Sequence, residues 1–466
     1  MGKYINIYGG FDVFLTEVPQ KNVVRQKFWS SICVTSKGNH VFNYGYFSFD
    51  SKESLMQKAA EYWNPGKVSF WTEAGTPMVI DRREGYFLYD MSGKRLIDLH
   101  LNGGTYNFGH RHPELVEVLK SGLDYFDMGN HWFPSVARAA FAEQLVKTAP
   151  HTKYAIFGAG GAEAVEIALK TARYATKRKK IVSIIKGYHG HSGLAVATGD
   201  ERFSKIFLSD KPDEFVQVPF NDADALENVL KGGEVAAFII ETIPATYGFP
   251  MPDAGYLKTC QDLCHKYGAK FISDEVQTGL MRTGVMWGWQ GYDLKPDIFV
   301  CGKGLGGGIY PISACLVTEE CGQWLIEDGA AHISTSGGAE LGCLVGHHVM
   351  EMLQRPEVIS NVHFVSEYFA QSMKEMMARH SDIFVGVRQR GVVLGLEFDH
   401  PEGAVAVSRA LYENGVWAIF SSLDKRVLQF KPGVVLDVDT CQEIMDRFDA
   451  AMPRARQLLK SGRRAA

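Results

Sequence analysis

The chain lacks an excess of positive charge, a long apolar run and a cysteine framework. Its 49 lysines and arginines stand against 53 aspartates and glutamates, a formal net charge of -4 over 466 residues. Such a balance offers no basic face to track phosphates, so nucleic acid is excluded as a partner. No segment approaches the length and apolarity of a membrane span, and the N-terminus has no charged-then-apolar signal pattern. Met1–Asn6 also lacks the hydroxyl that an N-myristoylation site wants. A soluble cytoplasmic protein with no membrane partner is the expectation. The 8 cysteines are scattered, which points to a reducing compartment. Cys260 and Cys264 can share a helix face beside His265, but a second chelating pair at zinc-site spacing is missing. Core packing is therefore expected there, and no metal. There is no internal repeat and no low-complexity tract.

What is present is an ordinary globular balance, 46% hydrophobic and 22% charged. The length suits roughly two or three domains with substantial cores. Residues 1–66 are an extension with no assigned role. Within them, 1–50 hold no sustained period and suit either an arm around a partner subunit or a poorly ordered tail. Gly85–Asp98 reads as a hairpin with a Ser-Gly turn, and Pro113 opens a helix. Near-continuous apolar runs follow at Tyr154–Phe157, Ile181–Ile185, Phe215–Val218, Val235–Ile240, Lys270–Ser273, Ile298–Cys301 and Ser313–Val317. They alternate with helical stretches, which predicts an α/β domain with a mostly parallel sheet of about seven strands, covered on both faces. Beyond it, helices near 342–355 and 356–380, strands at Val392–Phe398 and Val427–Phe430, and a last helix from Thr440 make a smaller α+β domain. The expected division is 67–110 as the N-terminal part of the small domain, 111–340 as the large domain and 341–466 as the C-terminal small domain.

The chemistry collects where these runs end, as ligands do in open α/β sheets. Lys303 follows Ile298–Cys301 in a glycine-rich turn, Gly302-Lys303-Gly304-Leu305-Gly306-Gly307-Gly308. The turn lacks the Gly-x-x-x-x-Gly-Lys-Ser/Thr of nucleotide loops, so the reading as a phosphate-gripping lysine is poor. Asp274 ends the run before it, in Ser273-Asp274-Glu275-Val276-Gln277-Thr278-Gly279. A buried carboxylate needs a partner. That partner is either a protonated ring nitrogen or a structural group such as Arg282. A lysine amine and a carboxylate at two strand ends are what a pyridoxal phosphate enzyme requires, the amine to join the cofactor aldehyde and the acid to hold the ring nitrogen protonated. Gly160, Gly161 and Ala162 open a helix after Phe157-Gly158-Ala159, an anion site through backbone N–H groups and the helix dipole. Alone, that turn reads better as structural. Tyr188-His189-Gly190 puts a flat side chain at another strand end, to stack on a ring or simply to plug the core. Val276 suits the other ring face, and Gln277 the phenolic oxygen.

From about residue 65 to residue 460 the chain resembles the class III aminotransferases of the fold-type I pyridoxal phosphate family. The likeness is most specific in Ser273–Gly279 and in Pro296-Asp297 through Lys303-Gly304. His332-Ile333-Ser334-Thr335-Ser336-Gly337-Gly338 resembles the segment whose threonine reaches the cofactor phosphate of the neighbouring subunit, which implies a homodimer with shared active sites. Arg388–Gly391 resembles the entry strand of the C-terminal domain, and Glu241 matches a family glutamate at a strand end, with the following proline displaced to Pro244. Three departures stand out. Gly160-Gly161-Ala162 replaces a Ser-Gly-Thr phosphate turn. Ala339 replaces a common asparagine. Gln429 stands where many members place an arginine that clamps a substrate carboxylate, and glutamine cannot supply that bidentate, charged contact.

The resemblance implies transfer of an amino group from a primary amine or amino acid to a keto acid, through a Schiff base on Lys303 and ping-pong kinetics. Racemases, epimerases and aminomutases use the same scaffold and stay open as alternatives. The missing clamp implies either an amine without a carboxylate at that site or a carboxylate held by another cation, with Arg138, Arg426 and Lys431 as candidates. Trp132, Phe133 and Tyr247 are candidate pocket walls or core.

Overall fold

The seven apolar runs form one sheet. A computed structural model describes residues 48–461. The chain divides into Met1–Lys58 and Ala59–Ala466, and residues 1–47 of the candidate arm at 1–50 lie outside the described residues. In the second unit the strands are β1 Ile80–Glu84, β2 Phe87–Asp90, β3 Arg95–Asp98, β4 Tyr154–Gly158, β5 Lys180–Ile184, β6 Phe215–Val218, β7 Val235–Glu241 and β8 Lys270–Asp274. They continue as β9 Ile298–Cys301, β10 Ser313–Val317, β11 Phe384–Arg390, β12 Val393–Phe398, β13 Val416–Trp417, β14 Ile419–Ser421 and β15 Asp424–Phe430.

The large sheet has the order β4-β10-β9-β8-β7-β5-β6. Its β5–β6, β5–β7, β7–β8 and β8–β9 pairs are parallel, and β10 runs antiparallel between β4 and β9. Strands β7, β8, β9 and β10 are buried at every position, because helices cover both faces. Ala237, Ile239 and Ile272 pack with Ala164, Ile167 and Ala168 of the helix Gly161–Thr176. Phe238, Ile240 and Phe271 point the other way, into the core that holds Leu257, Cys260 and Cys264 of the helix Tyr256–Lys266. Each of the isoleucine, leucine and phenylalanine side chains among them stabilises the fold by roughly 1.5–3 kcal/mol. The two cysteines are core residues, and burial raises the Cys260 thiol to about 12.

The hairpin β2–β3 forms as the sequence predicts, and β3 continues into β13 through a parallel pairing of Ile97 with Val416. The last sheet is β11-β12-β15-β14, accompanied by the helices Pro356–Arg379, Gly403–Glu413 and Val438–Lys460. Strands β11, β13 and β14 had no clear run to announce them. They are short or partly exposed, so partner strands rather than continuous apolarity define them.

Parallel register is what builds a site here. It sets Glu241 beside Asp274 and Asp274 beside Val300, at the carboxyl ends of β7, β8 and β9.

Candidate active site

Lys303 leaves β9 through Gly302 and opens a short 3-10 turn, Lys303–Gly306. Its φ is 46°, a left-handed conformation that costs a residue with a Cβ roughly 1–2 kcal/mol. The turn bends the lysine back over the strand ends. Burial pulls its amine below the ordinary lysine range, while the Asp274 and Glu241 charges act on it in the opposite sense. Those two carboxylates and the amine therefore share one electrostatic site.

Asp274 is buried, and its partner is not Arg282. His189 Nδ1 lies 2.8 Å from Asp274 Oδ2, and the Val276 N–H donates to Oδ1 at 3.1 Å. Arg282 instead donates to the Pro432 and Val392 carbonyls. His189 Nε2 is buried with no hydrogen-bond partner among the described residues. Glu241 accepts from the Tyr188 and Ala245 N–H groups, and burial together with the Asp274 charge raises its carboxyl to about 7. The same two carboxylates help raise the Tyr188 phenol, after desolvation, and the Tyr188 ring meets His191 and Phe203 edge-on.

The glycine turn at 160–162 is pressed against these groups. A Cβ on Gly161 would meet Val276 Cγ1 at 2.9 Å, whereas one on Gly160 would meet nothing within 4 Å. Gly161 starts a 16-residue helix; the Glu163 and Ala164 N–H groups donate to the Gly160 carbonyl, which leaves those of Gly161 and Ala162 as the donors of the first turn. The Gly160 carbonyl is held by Ser313 Oγ at 2.8 Å, and a Cβ on Gly190 would strike that of Ala162 at 2.6 Å. Gln277 Oε1 accepts from Lys431 Nζ at 3.4 Å. Thus Gly160, Gly161, Ala162, Tyr188, His189, Glu241, Asp274, Val276, Gln277 and Lys303 lie on neighbouring strand ends. Thr335 does not join them within the chain. It is exposed, in the loop before the helix Glu340–Leu353.

Sequence reasoning missed two features. Glu275 is buried beneath the Asp274 turn, where it accepts from Ser273, Thr242 and Thr278 hydroxyls and from the Gly288 and Trp289 N–H groups. It anchors the 275–289 loop to the sheet. The other is the segment Leu101-Asn102-Gly103-Gly104, in which every residue has a positive φ. A Cβ on Gly103 would lie 2.8 Å from Lys303 Cε and 3.6 Å from Gln277 Oε1. The adjacent glycines were the only signal. Gly103→Ala is expected to lower kcat by at least about tenfold, since a displaced catalytic group commonly costs more than that. Steady-state kinetics with the melting temperature recorded in parallel checks this, and a normal kcat refutes the steric role.

The model of the family described as aminotransferase class-III matches residues 71–452. The chain belongs to the class III aminotransferase family. An uncharacterized aminotransferase of Archaeoglobus fulgidus is 38% identical over 89% of this chain and 97% of its own. An acetylornithine aminotransferase of the same organism is 35% identical over 79% of this chain and 94% of its own. In fold, the chain matches the crystal structure of ornithine aminotransferase from Toxoplasma gondii with a TM-score of 0.81, at 23% identity over 89% of this chain and 98% of that one. This class III aminotransferase is a pyridoxal 5'-phosphate enzyme that moves amino groups. Its residues fit the cofactor. Gly161 and Gly103 keep clear two places that a Cβ would fill, and the donor set is a buried amine with a fixed carboxylate. Among the described residues, no helix is long and apolar enough to cross a membrane.

Proposed function

We propose that Lys303 carries the cofactor and moves the proton in a transfer between a primary amine or amino acid and a keto acid. The observation that carries this reading is the register that sets Glu241, Asp274 and the Gly302-Lys303 turn on adjacent strand ends. When bound, pyridoxal phosphate supplies an aldehyde for amines and a ring that spreads the charge left as a proton departs the substrate carbon. The lowered pKa of Lys303 leaves more of its amine neutral, ready to take that proton as base and return it as acid. Asp274, pinned by His189 and the Val276 N–H, holds the ring nitrogen's proton. The N–H groups opening the Gly161–Thr176 helix would hold the phosphate, Tyr188 and Val276 would bind the ring, and Gln277 would supply a hydrogen bond to its phenolic oxygen. With Ser-Gly-Thr replaced, backbone donors carry the phosphate. Glu241 positions the Tyr188 turn through its backbone N–H.

The proposed division keeps 111–340 as the large, cofactor-binding domain and 67–110 with 341–466 as the small domain. A second copy of the chain is proposed to cover the outer face of β4, the half-buried edge strand. A cavity of about 880 Å³ lies there, lined by Trp132, Arg138, Phe157 and Ile333. Trp132, Phe133 and Val136 are 62%, 67% and 81% exposed, an apolar patch that a partner would cover. Thr335, on the loop bordering it, then reaches the partner's phosphate. Light scattering tests the pairing, and a monomer at micromolar concentration refutes it.

Borohydride reduction followed by peptide mass mapping tests the lysine. A label on Lys303 is expected, and a label elsewhere, or none, overturns its role. Incubation with an amino donor alone should convert the cofactor to its amine form. Retained aldehyde-form absorbance would favour the racemase or aminomutase alternative.

A further inference from the structure

Lys431 is 1% exposed. It follows β15 two residues after Gln429, on the same side of the strand. Its Nζ lies 2.6 Å from Gln429 Oε1 and 3.4 Å from Gln277 Oε1, both neutral acceptors. Gln429 is itself fixed, because its amide nitrogen donates to the Ala245 carbonyl and to Ser421 Oγ. An ammonium has three protons to place; beyond the two glutamine oxygens the described residues offer Lys431 Nζ only the face of the Phe249 ring, 5.9 Å to its centroid, and no third oxygen or nitrogen acceptor. No described carboxylate forms an ion pair with it. Asp98 is the nearby anion that acts on it. That carboxylate is already engaged by His110 and by the His100 and Leu101 N–H groups.

Buried charge without a counter-ion is unfavourable. Here the surroundings add to the cost. Burial, then the Arg282 and Lys303 charges, push the Lys431 amine well below its ordinary value. His100 is lowered in turn by burial and by Lys431 and Lys303. Gln277 joins the two lysines. Its Oε1 contacts Lys431, and it lies with Lys303 Cε around the open side of Gly103. Gln277 thus sets the lysine that lacks a counter-ion close to the Lys303 side chain.

The other two candidate cations have partners. Arg138 donates to the Gly338, Asn130 and Phe133 carbonyls. Arg426 pairs with Glu397.

Resting on the aminotransferase reading above, we infer that Lys431 receives the carboxylate of the amino-acid or keto-acid substrate. The arriving anion supplies the missing counter-ion and the acceptor for the third proton. Lysine is a point charge rather than a rigid fork. The contact therefore fixes where the carboxylate goes and leaves its rotation free, as suits substrates of differing length. Burial and the neighbouring charges lower the Lys431 amine, and an arriving carboxylate acts in the opposite sense, so binding is linked to proton uptake.

The test uses the holoenzyme, with its cofactor absorbance recorded first. Isothermal titration with pentanoate in buffers of different ionisation enthalpy should show binding with proton uptake, weakening as pH rises. Lys431→Met should weaken pentanoate at least tenfold and Lys431→Arg should restore part of it. In kinetics, the ratio of kcat/KM for an ω-amino acid to that for the matching unbranched amine should fall at least tenfold in Lys431→Met, chiefly through KM. An unchanged ratio in a variant with normal absorbance overturns the proposal. Should Lys431→Met not fold, wild-type binding without proton uptake, or no binding, does the same. If the wild type transfers no amino group from either donor, the aminotransferase reading fails instead, and the pentanoate titration still decides the role of Lys431.

Discussion

Replacing Lys303 by alanine is expected to lower the amino-transfer rate by about 10⁴-fold, the upper range for losing a positioned acid–base group. Two ionisable neighbours are already engaged. His189 Nδ1 is engaged with Asp274, and Glu241 is held by two N–H groups at the end of β7. Single-turnover kinetics measures the loss, and a decrease of less than a hundredfold would move the base to another group. The protein should still fold. In the native state the Lys303 amine is depressed by burial, so between that depressed value and the ordinary lysine range the unfolded chain binds more protons. Stability of the cofactor-free wild type therefore rises with pH through that window, and the burial cost is fully present below it. Lys303→Ala should flatten this rise, which denaturant titrations at two pH values would show.

The second large effect belongs to Asp274. Asp274→Ala leaves both ring nitrogens of His189 without a partner, since Nε2 already has none and Nδ1 loses its 2.8 Å contact. A stability loss of roughly 1–3 kcal/mol follows from the unmade buried hydrogen bond. The rate should fall by about 10²–10³-fold, the usual size for removing one preorganised electrostatic contact. Asp274→Asn separates the two consequences. It keeps the shape and can still bond His189, yet an amide cannot hold a proton on the ring nitrogen. Its melting temperature should stay near that of the wild type while its rate falls almost as far as in Asp274→Ala. A rate within tenfold of the wild type would show that the carboxylate charge is structural.

Much of this site could be read in one dimension because of how parallel sheets are buried. Strands β7, β8 and β9 are covered on both faces, so they are written as unbroken apolar runs. A polar residue at the end of such a run stands out, as Glu241, Asp274 and Lys303 do. Edge and short strands have no such mark. β13 has only two residues and exists because β3 offers it a partner. The left-handed stretch at 101–104 runs against the preference of Leu101, and packing on the Lys303 turn sustains it.

Residue order alone thus established which reactive groups end which strands and that a glycine turn precedes the first long helix of the sheet. Neighbourhood and charge state came from the folded chain. His189 and Asp274 are 85 positions apart, and Lys431 and Gln277 are 154 apart. Whether an amine is neutral, or a cation left without an anion, depends on solvent exclusion and on charges delivered by distant segments. Those quantities arise only when separate strands pack, and for that reason Gln429 signalled in the sequence that a clamp was missing, while only the fold set the buried Lys431 amine beside it as the proposed replacement.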